Sequence, residues 1–353
     1  KRYQKFHREL CLMRKTISYD DVLLSPQYSD IESRSEIDIS TDLGDGLILQ
    51  TPIFSSPMDT VTTAPMAVEL AKRGAAGIVH RYNSIEEQAR YIAAAIDKAG
   101  EINIGAAVGV TGDYVERTTA ATEAGATFIC IDVAHGHHLL MKAALQQLRA
   151  MFDYDIHIMA GNVATLEAIN DLSDWGASSV RCNIGGGSIC STRIQTGHGV
   201  PGLQTILDCA QTDRDVAIIA DGGLRNSGDM VKAFAAGADA VMCGSLLAGA
   251  AEAPGEIFRE ANGSVWKSYR GMASKEAQTD WRGKYSSLEG IASRVPYGGK
   301  AAVILEELER GIRSGLSYSG ARSIEELQSK AEFIEQTTSS LSESHTHINT
   351  RKW

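Results

Sequence analysis

The sequence predicts a single-domain α/β protein that folds as a (β/α)8 barrel, the TIM barrel. From Ile53 onward, eight short apolar runs rich in β-branched residues alternate with segments of helical periodicity, which is the pattern of parallel βα units. The runs are apolar along their whole length, as expected of strands that are buried on both faces. Their even spacing favours a closed barrel over a doubly wound open sheet, which is the competing arrangement.

The eight predicted strands comprise residues 53–58, 76–80, 102–109, 127–134, 156–163, 178–184, 216–223 and 240–245. The segments between them are long enough for crossover helices, and several end at glycine. We assign residues 13–336 to the barrel, with Met13 as the better start of the folded chain, and residues 1–12 to an N-terminal extension. An irregular insertion at residues 248–299 follows the eighth strand, and the expected lid lies at about residues 270–300. Residues 337–353 form a polar C-terminal tail, and no regulatory domain interrupts the barrel.

The composition excludes several classes of protein. With 353 residues, 43% hydrophobic and 22% charged, the chain can build a large core, so disorder is excluded as its main state. The 34 basic and 44 acidic residues give a formal charge of -10, which disfavours binding to nucleic acid or to anionic membranes. The sequence has neither an apolar run long enough to span a membrane nor a secretion signal, so we expect a cytoplasmic protein. The six cysteines lack the paired spacing of a zinc site or a disulfide framework.

The segment GGGSICSTRIQTGHGVPG (185–202), which follows the sixth predicted strand, is the most unusual part of the sequence. Its three consecutive glycines allow a tight turn that exposes backbone amides and carbonyls to a ligand. Cys190 follows at once, beside these amides and near Arg193, where a thiol can act as a nucleophile. The alternative is a turn with an inert thiol. Because barrel enzymes carry their chemistry at the carboxyl ends of the strands, the position favours the nucleophile.

Two further glycine sites, ADGG (220–223) and CGS (243–245), follow strands seven and eight. In barrels this is the common position for a phosphate group, so a phosphate-bearing substrate is expected. Asp221 stands between a buried strand and two glycines, and we favour ligand binding over capping of the next helix. Asp132 ends strand four with its carboxylate at the barrel mouth. The spacing of His135, His137 and His138 matches no familiar metal motif, so no transition metal is assigned.

Several motifs together resemble the family that contains IMP dehydrogenase and GMP reductase. They include SYDDVLLSP (18–26), SSPMDTVT (55–62), GGGSICSTR (185–193), IADGGLRNSGD (219–229) and YRGMAS (269–274). The resemblance extends from about Ser18 to His347, nearly the whole chain. It implies a barrel that binds a purine nucleotide (GMP or IMP), usually as a homotetramer, with Cys190 attacking carbon 2 of the purine to form a thioimidate and a nicotinamide dinucleotide exchanging hydride there.

The resemblance also implies roles for individual residues. Asp221 resembles the ribose contact, and Asp132 and Arg81 resemble the residues beside the dinucleotide. The residues that resemble the phosphate contacts are Ser188, Gly223, Gly244, Ser245 and Tyr269, and those that resemble the lining of the base are Gly271, Met272 and Ala273. A monovalent-cation (K+) site is implied by the carbonyls of Gly185, Gly187 and Cys190 together with Glu343 and Ser344.

The lid bears on the direction of the reaction. In the dehydrogenases an adjacent Arg-Tyr pair on a long flap activates the water that hydrolyses the thioimidate. Here the segment KEAQTDWRGKYSSL (275–288) is short, and its Arg282 and Tyr285 are not adjacent, so it resembles the reductase lid. The motif DVAHGH (132–137) also resembles the reductase form, whereas GVP (199–201) and ESHTH (343–347) resemble the dehydrogenases. Arg81 replaces the lysine of the family, and a guanidinium does not release a proton.

The resemblance therefore predicts an NADPH-dependent GMP reductase that converts GMP to IMP and ammonia. Cys190 would be the nucleophile, and Thr192 and Glu289 would help to protonate the leaving ammonia. The first alternative is an NAD-dependent IMP dehydrogenase, forming XMP from IMP, with a shortened flap. The second is a purine-nucleotide-binding regulator without turnover.

Overall fold

The eight predicted strands form a closed parallel barrel in the computed structural model, which describes residues 13–344 and Thr346. The strands are β1 (Ile53–Ser55), β2 (Ala76–Val79), β3 (Ile104–Val108), β4 (Phe128–Asp132), β5 (His157–Val163), β6 (Ser179–Cys182), β7 (Ala217–Asp221) and β8 (Ala240–Cys243). Each strand pairs with the next along the chain, and β8 pairs with β1 to close the barrel. The predicted fold is thus confirmed. The N-terminal extension (1–12), His345 and residues 347–353 of the tail lie outside the described residues.

A helix follows each strand and covers the outside of the barrel. The helices are α1 (Ala64–Ala71), α2 (Ile85–Ala99), α3 (Tyr114–Glu123), α4 (Leu139–Phe152), α5 (Leu166–Asp174), α6 (Gly202–Cys209), α7 (Ser227–Ala235) and α8 (Ala301–Tyr318). Their ends have local causes. The Ser84 hydroxyl accepts a hydrogen bond from the Glu87 N–H at the start of α2, and Gly100 ends that helix with φ +78°. Asn226 caps α7 in the same way.

The core has two parts, one inside the barrel and one between the strands and the helices. Phe54, Phe128, Met159 and Met242 fill the interior of the barrel, and Leu47 packs against this cluster from the amino-terminal end. Leu47 lies in the turn of a hairpin, Thr41–Asp42 and Ile48–Leu49, which closes the amino-terminal end of the barrel. The mouth at the carboxyl end is therefore the open end, where a ligand can enter.

The chain outside the barrel is more regular than the sequence predicts. The stretch 248–299, expected to be irregular, contains a three-stranded antiparallel sheet, Ile257–Arg259, Val265–Arg270 and Ala292–Pro296, and helix Lys275–Arg282 between its last two strands. The third strand is largely exposed, so its sequence carries no apolar alternation that would predict it. The segment predicted as the lid, about residues 270–300, contains this helix and the strand Ala292–Pro296. We call helix Lys275–Arg282 the lid helix.

Short elements complete the structure. The strand Val22–Leu24 pairs antiparallel with Phe333–Glu335, which ties the two ends of the described chain together. The remaining helical segments are Tyr19–Asp21, Arg34–Glu36, Thr192–Thr196, Ser245–Ala248, Ile324–Lys330 and Thr338–Glu343. In the described part of the chain, no helix is both long and apolar enough to cross a membrane.

Candidate active site

One cavity of about 320 Å³ opens at the carboxyl ends of the barrel strands, which is within the size range of small-molecule sites. It brings together all the residues predicted for catalysis, substrate and dinucleotide, although they come from distant parts of the sequence. The predicted residues that line it are Arg81, Asp132, Gly185, Gly187, Ser188, Cys190, Thr192, Asp221, Gly223, Gly244, Ser245, Tyr269, Gly271, Met272, Ala273 and Glu289.

The Cys190 loop is held against the end of the lid by backbone hydrogen bonds. The Ser191 N–H donates to the Glu289 carbonyl at 2.9 Å, and the Ile291 N–H donates to the Ile189 carbonyl at 3.0 Å. Cys190 and Gly290 thereby form an isolated antiparallel bridge. This pairing fixes residues 289–291 beside the cysteine, although about a hundred residues separate the two segments along the chain.

Cys190, Thr192 and Glu289 form a continuous hydrogen-bonded chain. The partly buried Cys190 thiol donates to Thr192 Oγ1 at 3.1 Å, and the Thr192 hydroxyl donates to Glu289 Oε2 at 2.8 Å. A hydroxyl between a thiol and a carboxylate can pass a proton in either direction. The geometry is one that can provide a nucleophile together with a path for its proton.

Glycines on two loops form a cradle beside the cysteine. Gly222 and Gly223 adopt φ values of +82° and +79°, and Gly222 packs so close to Gly187 that a Cβ would lie 3.3 Å from its Cα. Gly186 approaches Asn183 more closely, since a Cβ there would lie 2.2 Å from Asn183 Nδ2. Glycine is the residue that these turns tolerate without strain. Backbone groups and the Ser188 side chain can thus approach a ligand directly.

Tyr269 closes the far side of this cradle. A Cβ on Gly244 would lie 2.7 Å from Tyr269 Oη, so the ring sits directly against the loop after β8. Burial raises the pKa of Tyr269 to about 12, so the phenol is protonated at neutral pH and can donate a hydrogen bond. Together with Ser188 and Ser245, Tyr269 gives this corner hydroxyl groups suited to an anion.

Arg181 on β6 links Asp221 to Asp132 across the floor of the cavity. Its Nε and Nη2 donate to Asp221 Oδ2 at 3.1 and 2.8 Å, and its Nη1 donates to Asp132 Oδ1 at 2.5 Å. Burial by itself lowers the pKa of Arg181, but Asp221, together with Cys130 and Asp132, outweighs it and holds the pKa above its ordinary value. Asn162 adds a third donor to Asp221 Oδ2, at 2.7 Å.

Arg81 and Asp132 lie together on another wall. Arg81 Nη2 donates to the Asp132 backbone carbonyl at 3.3 Å, whereas its buried Nε has no hydrogen-bond partner among the described residues. The next residue, Tyr82, stacks on Trp281 of the lid helix with ring centroids 6.0 Å apart. The lid helix therefore rests beside this wall of the cavity.

The structure does not bring the predicted cation ligands together within one chain. Glu343 ends the helix Thr338–Glu343, which packs against the turn Tyr19–Asp21, and the Ser344 hydroxyl donates to Gln336 Oε1 at 3.2 Å. Neither residue lines the cavity that contains Gly185, Gly187 and Cys190. In the part of the chain that the structure describes, no cluster of His, Cys, Asp or Glu side chains is arranged to hold a metal ion.

Arg181, Asn162 and Asn183 are site residues that the sequence analysis did not assign. Arg181 stands inside an apolar run, and a charged residue in a strand buried on both faces is the signal that could have found it. Asn162 and Asn183 end β5 and follow β6, at the edge where the mouth is built. Their amides are bound to Asp221 and to the Gly222 carbonyl, respectively.

The fold and the cavity define a class of barrel protein in which a cysteine at the mouth shares one cavity with glycine turns and hydroxyl side chains. The chain matches a family model described as IMP dehydrogenase / GMP reductase domain over residues 16–347. Inosine-5'-monophosphate dehydrogenase of Cryptosporidium parvum is 37% identical over 387 residues, covering 94% of this chain and 95% of the relative. The dehydrogenase of Nitrosopumilus maritimus is 32% identical over 470 residues, covering 95% of this chain and 98% of the relative.

A solved structure shows the same fold over nearly the whole chain. It is a cysteine-to-alanine variant of GMP reductase from Trypanosoma brucei in complex with guanosine 5'-monophosphate. Its TM-score is 0.91 at 30% identity, covering 96% of this chain and 99% of that chain. The protein therefore belongs to the IMP dehydrogenase/GMP reductase family, whose members are nicotinamide-dependent oxidoreductases.

Proposed function

We propose that the protein is a GMP reductase, which converts GMP and NADPH to IMP, ammonia and NADP. The observation that carries the proposal is the group beside the cysteine: a carboxylate, Glu289, at the end of the chain from Cys190 through Thr192. Arg282 and Tyr285, which would have to form the water-activating pair of a dehydrogenase, do not line the cavity. Arg282 lies over the Tyr82 ring, and Tyr285 lies under Lys275 Nζ with about half of its surface exposed.

The cavity suits a purine 5'-monophosphate. The phosphate would bind in the corner formed by Gly223, Gly244, Ser245, Ser188 and Tyr269, where hydroxyls and backbone groups can surround an anion. The ribose would lie over Asp221. The base would then reach Cys190 between the loop and the segment Gly271, Met272 and Ala273.

The hydrogen-bonded chain supports a covalent mechanism. Cys190 Sγ would form a bond to carbon 2 of GMP while its proton passes through Thr192 to Glu289. The same chain would return a proton to the amino group as the bond from carbon 2 to nitrogen breaks, which releases ammonia and leaves a thioimidate. When bound, the reduced nicotinamide supplies the hydride that replaces sulfur at carbon 2 and frees IMP.

The wall formed by Arg81 and Asp132 fits a dinucleotide. The buried Arg81 Nε lacks a partner among the described side chains, and a polar group of the dinucleotide would satisfy it. Asp132 would accept from the ligand with the oxygen that Arg181 leaves free. NADPH as the dinucleotide, K+ binding and the homotetramer stay predictions from the family resemblance. The cytoplasmic location stays a prediction from the sequence pattern.

IMP dehydrogenase is the second candidate, because relatives at 32% and 37% identity carry that name. One assay separates the two reactions. The purified protein is given GMP with NADPH and, separately, IMP with NAD, and both nicotinamide absorbance and products are followed. Oxidation of NADPH with stoichiometric ammonia supports the reductase. Reduction of NAD with formation of XMP, or no reaction with GMP, overturns it.

A further inference from the structure

We propose that Arg181 is a positioning residue that orients Asp221 to accept from a ribose hydroxyl and couples it to Asp132, so that it sets the preference of the site for ribonucleotides. The proposal rests on the proposed function insofar as Asp221 is the ribose contact. The network of Arg181, Asp221, Asp132 and Asn162 provides the argument.

The two oxygens of Asp221 are not equivalent. Oδ2 accepts from Arg181 Nε and Nη2 and from Asn162 Nδ2, at 3.1, 2.8 and 2.7 Å. Among the described residues, no donor is bound to Oδ1, although Asp221 lines the cavity. A carboxylate with one oxygen saturated by three donors has a fixed orientation, so its other oxygen is held ready for a ligand hydroxyl.

Burying the Arg181 guanidinium costs desolvation free energy, which is expected to be retained only where the ion-pair network has a function. The side chain is 7% exposed, in a strand whose other residues are buried. Burying an arginine between carboxylates gains little stability over an apolar packing of the same volume. Gly161 leaves room for this side chain, because a Cβ on Gly161 would lie 2.6 Å from Arg181 Cβ. The guanidinium therefore acts mainly by orienting the two carboxylates, and it contributes little to the stability of the fold.

Arg181 also connects the two ligand subsites. It reaches Asp132 with Nη1 while Nε and Nη2 hold Asp221. A planar guanidinium can bind two carboxylates in this fixed fork, whereas the ammonium of lysine is a single point charge. We therefore expect lysine at position 181 to restore one of the two contacts but not both.

The test measures equilibrium binding by calorimetry on the full chain, without the dinucleotide, so that it requires no turnover. The probes are GMP, 2'-deoxy-GMP and 3'-deoxy-GMP, and the proteins are the native chain, Arg181→Met and Arg181→Lys. We expect the native protein to bind at least one deoxy analogue roughly ten- to hundredfold more weakly than GMP. Arg181→Met should bind GMP more weakly and lose most of that discrimination, and Arg181→Lys should lie between them.

Arg149→Met is the matched control. Arg149 is similarly buried and pairs with Asp45, but it lies at the amino-terminal end of the barrel, outside the cavity. It should lower thermal stability without changing the GMP dissociation constant. In turnover assays, Arg181→Met should raise KM for both GMP and the dinucleotide more than it lowers kcat.

Two outcomes would overturn the proposal: native protein that binds both deoxy analogues as tightly as GMP, or Arg181→Met that keeps the native discrimination, whether or not it weakens all three nucleotides by a common factor. A native protein that binds GMP but does not reduce it with NADPH would refute the proposed reaction. The same titrations would still decide the role of Arg181.

Discussion

Replacement of Glu289 by glutamine tests the proton path most directly. The amide oxygen of glutamine can still accept from the Thr192 hydroxyl, which donates to Glu289 at 2.8 Å in the native chain. The backbone of Glu289 is held independently of its side chain, because its carbonyl accepts from the Ser191 N–H and its N–H donates to the Ala273 carbonyl at 3.3 Å. The substitution therefore keeps the shape of the site and removes only the group that accepts and returns a proton.

The expected loss follows from that role. General acid and base catalysis contributes roughly 10²- to 10⁴-fold to a rate, so Glu289→Gln should lower kcat by that factor. This corresponds to a barrier higher by about 3 to 5 kcal/mol. KM for GMP should change by less than about threefold, since neither the glycine cradle nor Asp221 is altered. Thr192→Val should cost about as much, because it interrupts the same path from Cys190.

The assay is initial-rate oxidation of NADPH at saturating GMP, together with ammonia release. The double variant of Thr192→Val and Glu289→Gln should be little slower than either single variant, because residues that act as one unit are not additive. Glu276→Gln, on an exposed face of the lid helix, is the control and should keep the native rate. A Glu289→Gln protein with kcat within about threefold of the native value would refute the proton path.

Three further outcomes are expected. Cys190→Ala should lower kcat on the order of 10⁴-fold or more while GMP still binds, and measurable turnover close to native would remove the covalent step. Gly186→Ala should lose roughly 1–3 kcal/mol of stability and bind GMP more weakly, because its Cβ would lie 2.2 Å from Asn183 Nδ2, and the Asn183 amide is buried and bound to the Gly222 carbonyl. Gly187→Ala, whose Cβ would lie 3.5 Å from its nearest neighbour, is the milder control. An equal effect of the two substitutions on thermal melting and KM would contradict the reasoning. Burial lowers the pKa of His157 from 6.5 to about 4, so its neutral form stabilises the fold fully above pH 6.5, and this contribution is lost as pH falls towards 4. Unfolding at pH 6.5 and 4.5 should show a smaller acid loss for His157→Gln, by up to about 1.4 kcal/mol per pH unit, and an unchanged slope would contradict this.

Much of the fold was predictable because burial on both faces leaves a local mark. The eight barrel strands read as continuous apolar runs, and all of them lie within the predicted ranges. The small sheet after β8 was not predictable in this way, since Ala292–Pro296 is held by backbone pairing with Val265–Arg270 and is mostly exposed. A strand held by its partner and not by a buried face carries little periodicity.

The glycine-rich turns could likewise be predicted from local sequence, because a tight turn requires glycine at fixed positions. The hydrogen-bond partners of Asp221 could not be predicted in this way. Whether Arg181 in the middle of β6 faces the mouth or the helices depends on the stagger of the closed barrel. A continuous apolar run in the sequence does not indicate this direction. The structure also places Glu343 and Ser344 away from the cavity, at the turn Tyr19–Asp21, although the family resemblance groups them with the loop after β6.

The sequence by itself determined that eight strands alternate with helices, and that a cysteine and three glycine-containing turns follow the last three strands, because these depend on neighbours along the chain. Only the tertiary structure decided that Glu289 meets Thr192 and that Arg181 joins Asp132 to Asp221. These contacts join residues 40 to 97 positions apart, and the closure of the barrel brings them within hydrogen-bonding distance. Hydrogen bonds of a few ångströms are set by strand stagger and loop pairing, which no short segment encodes.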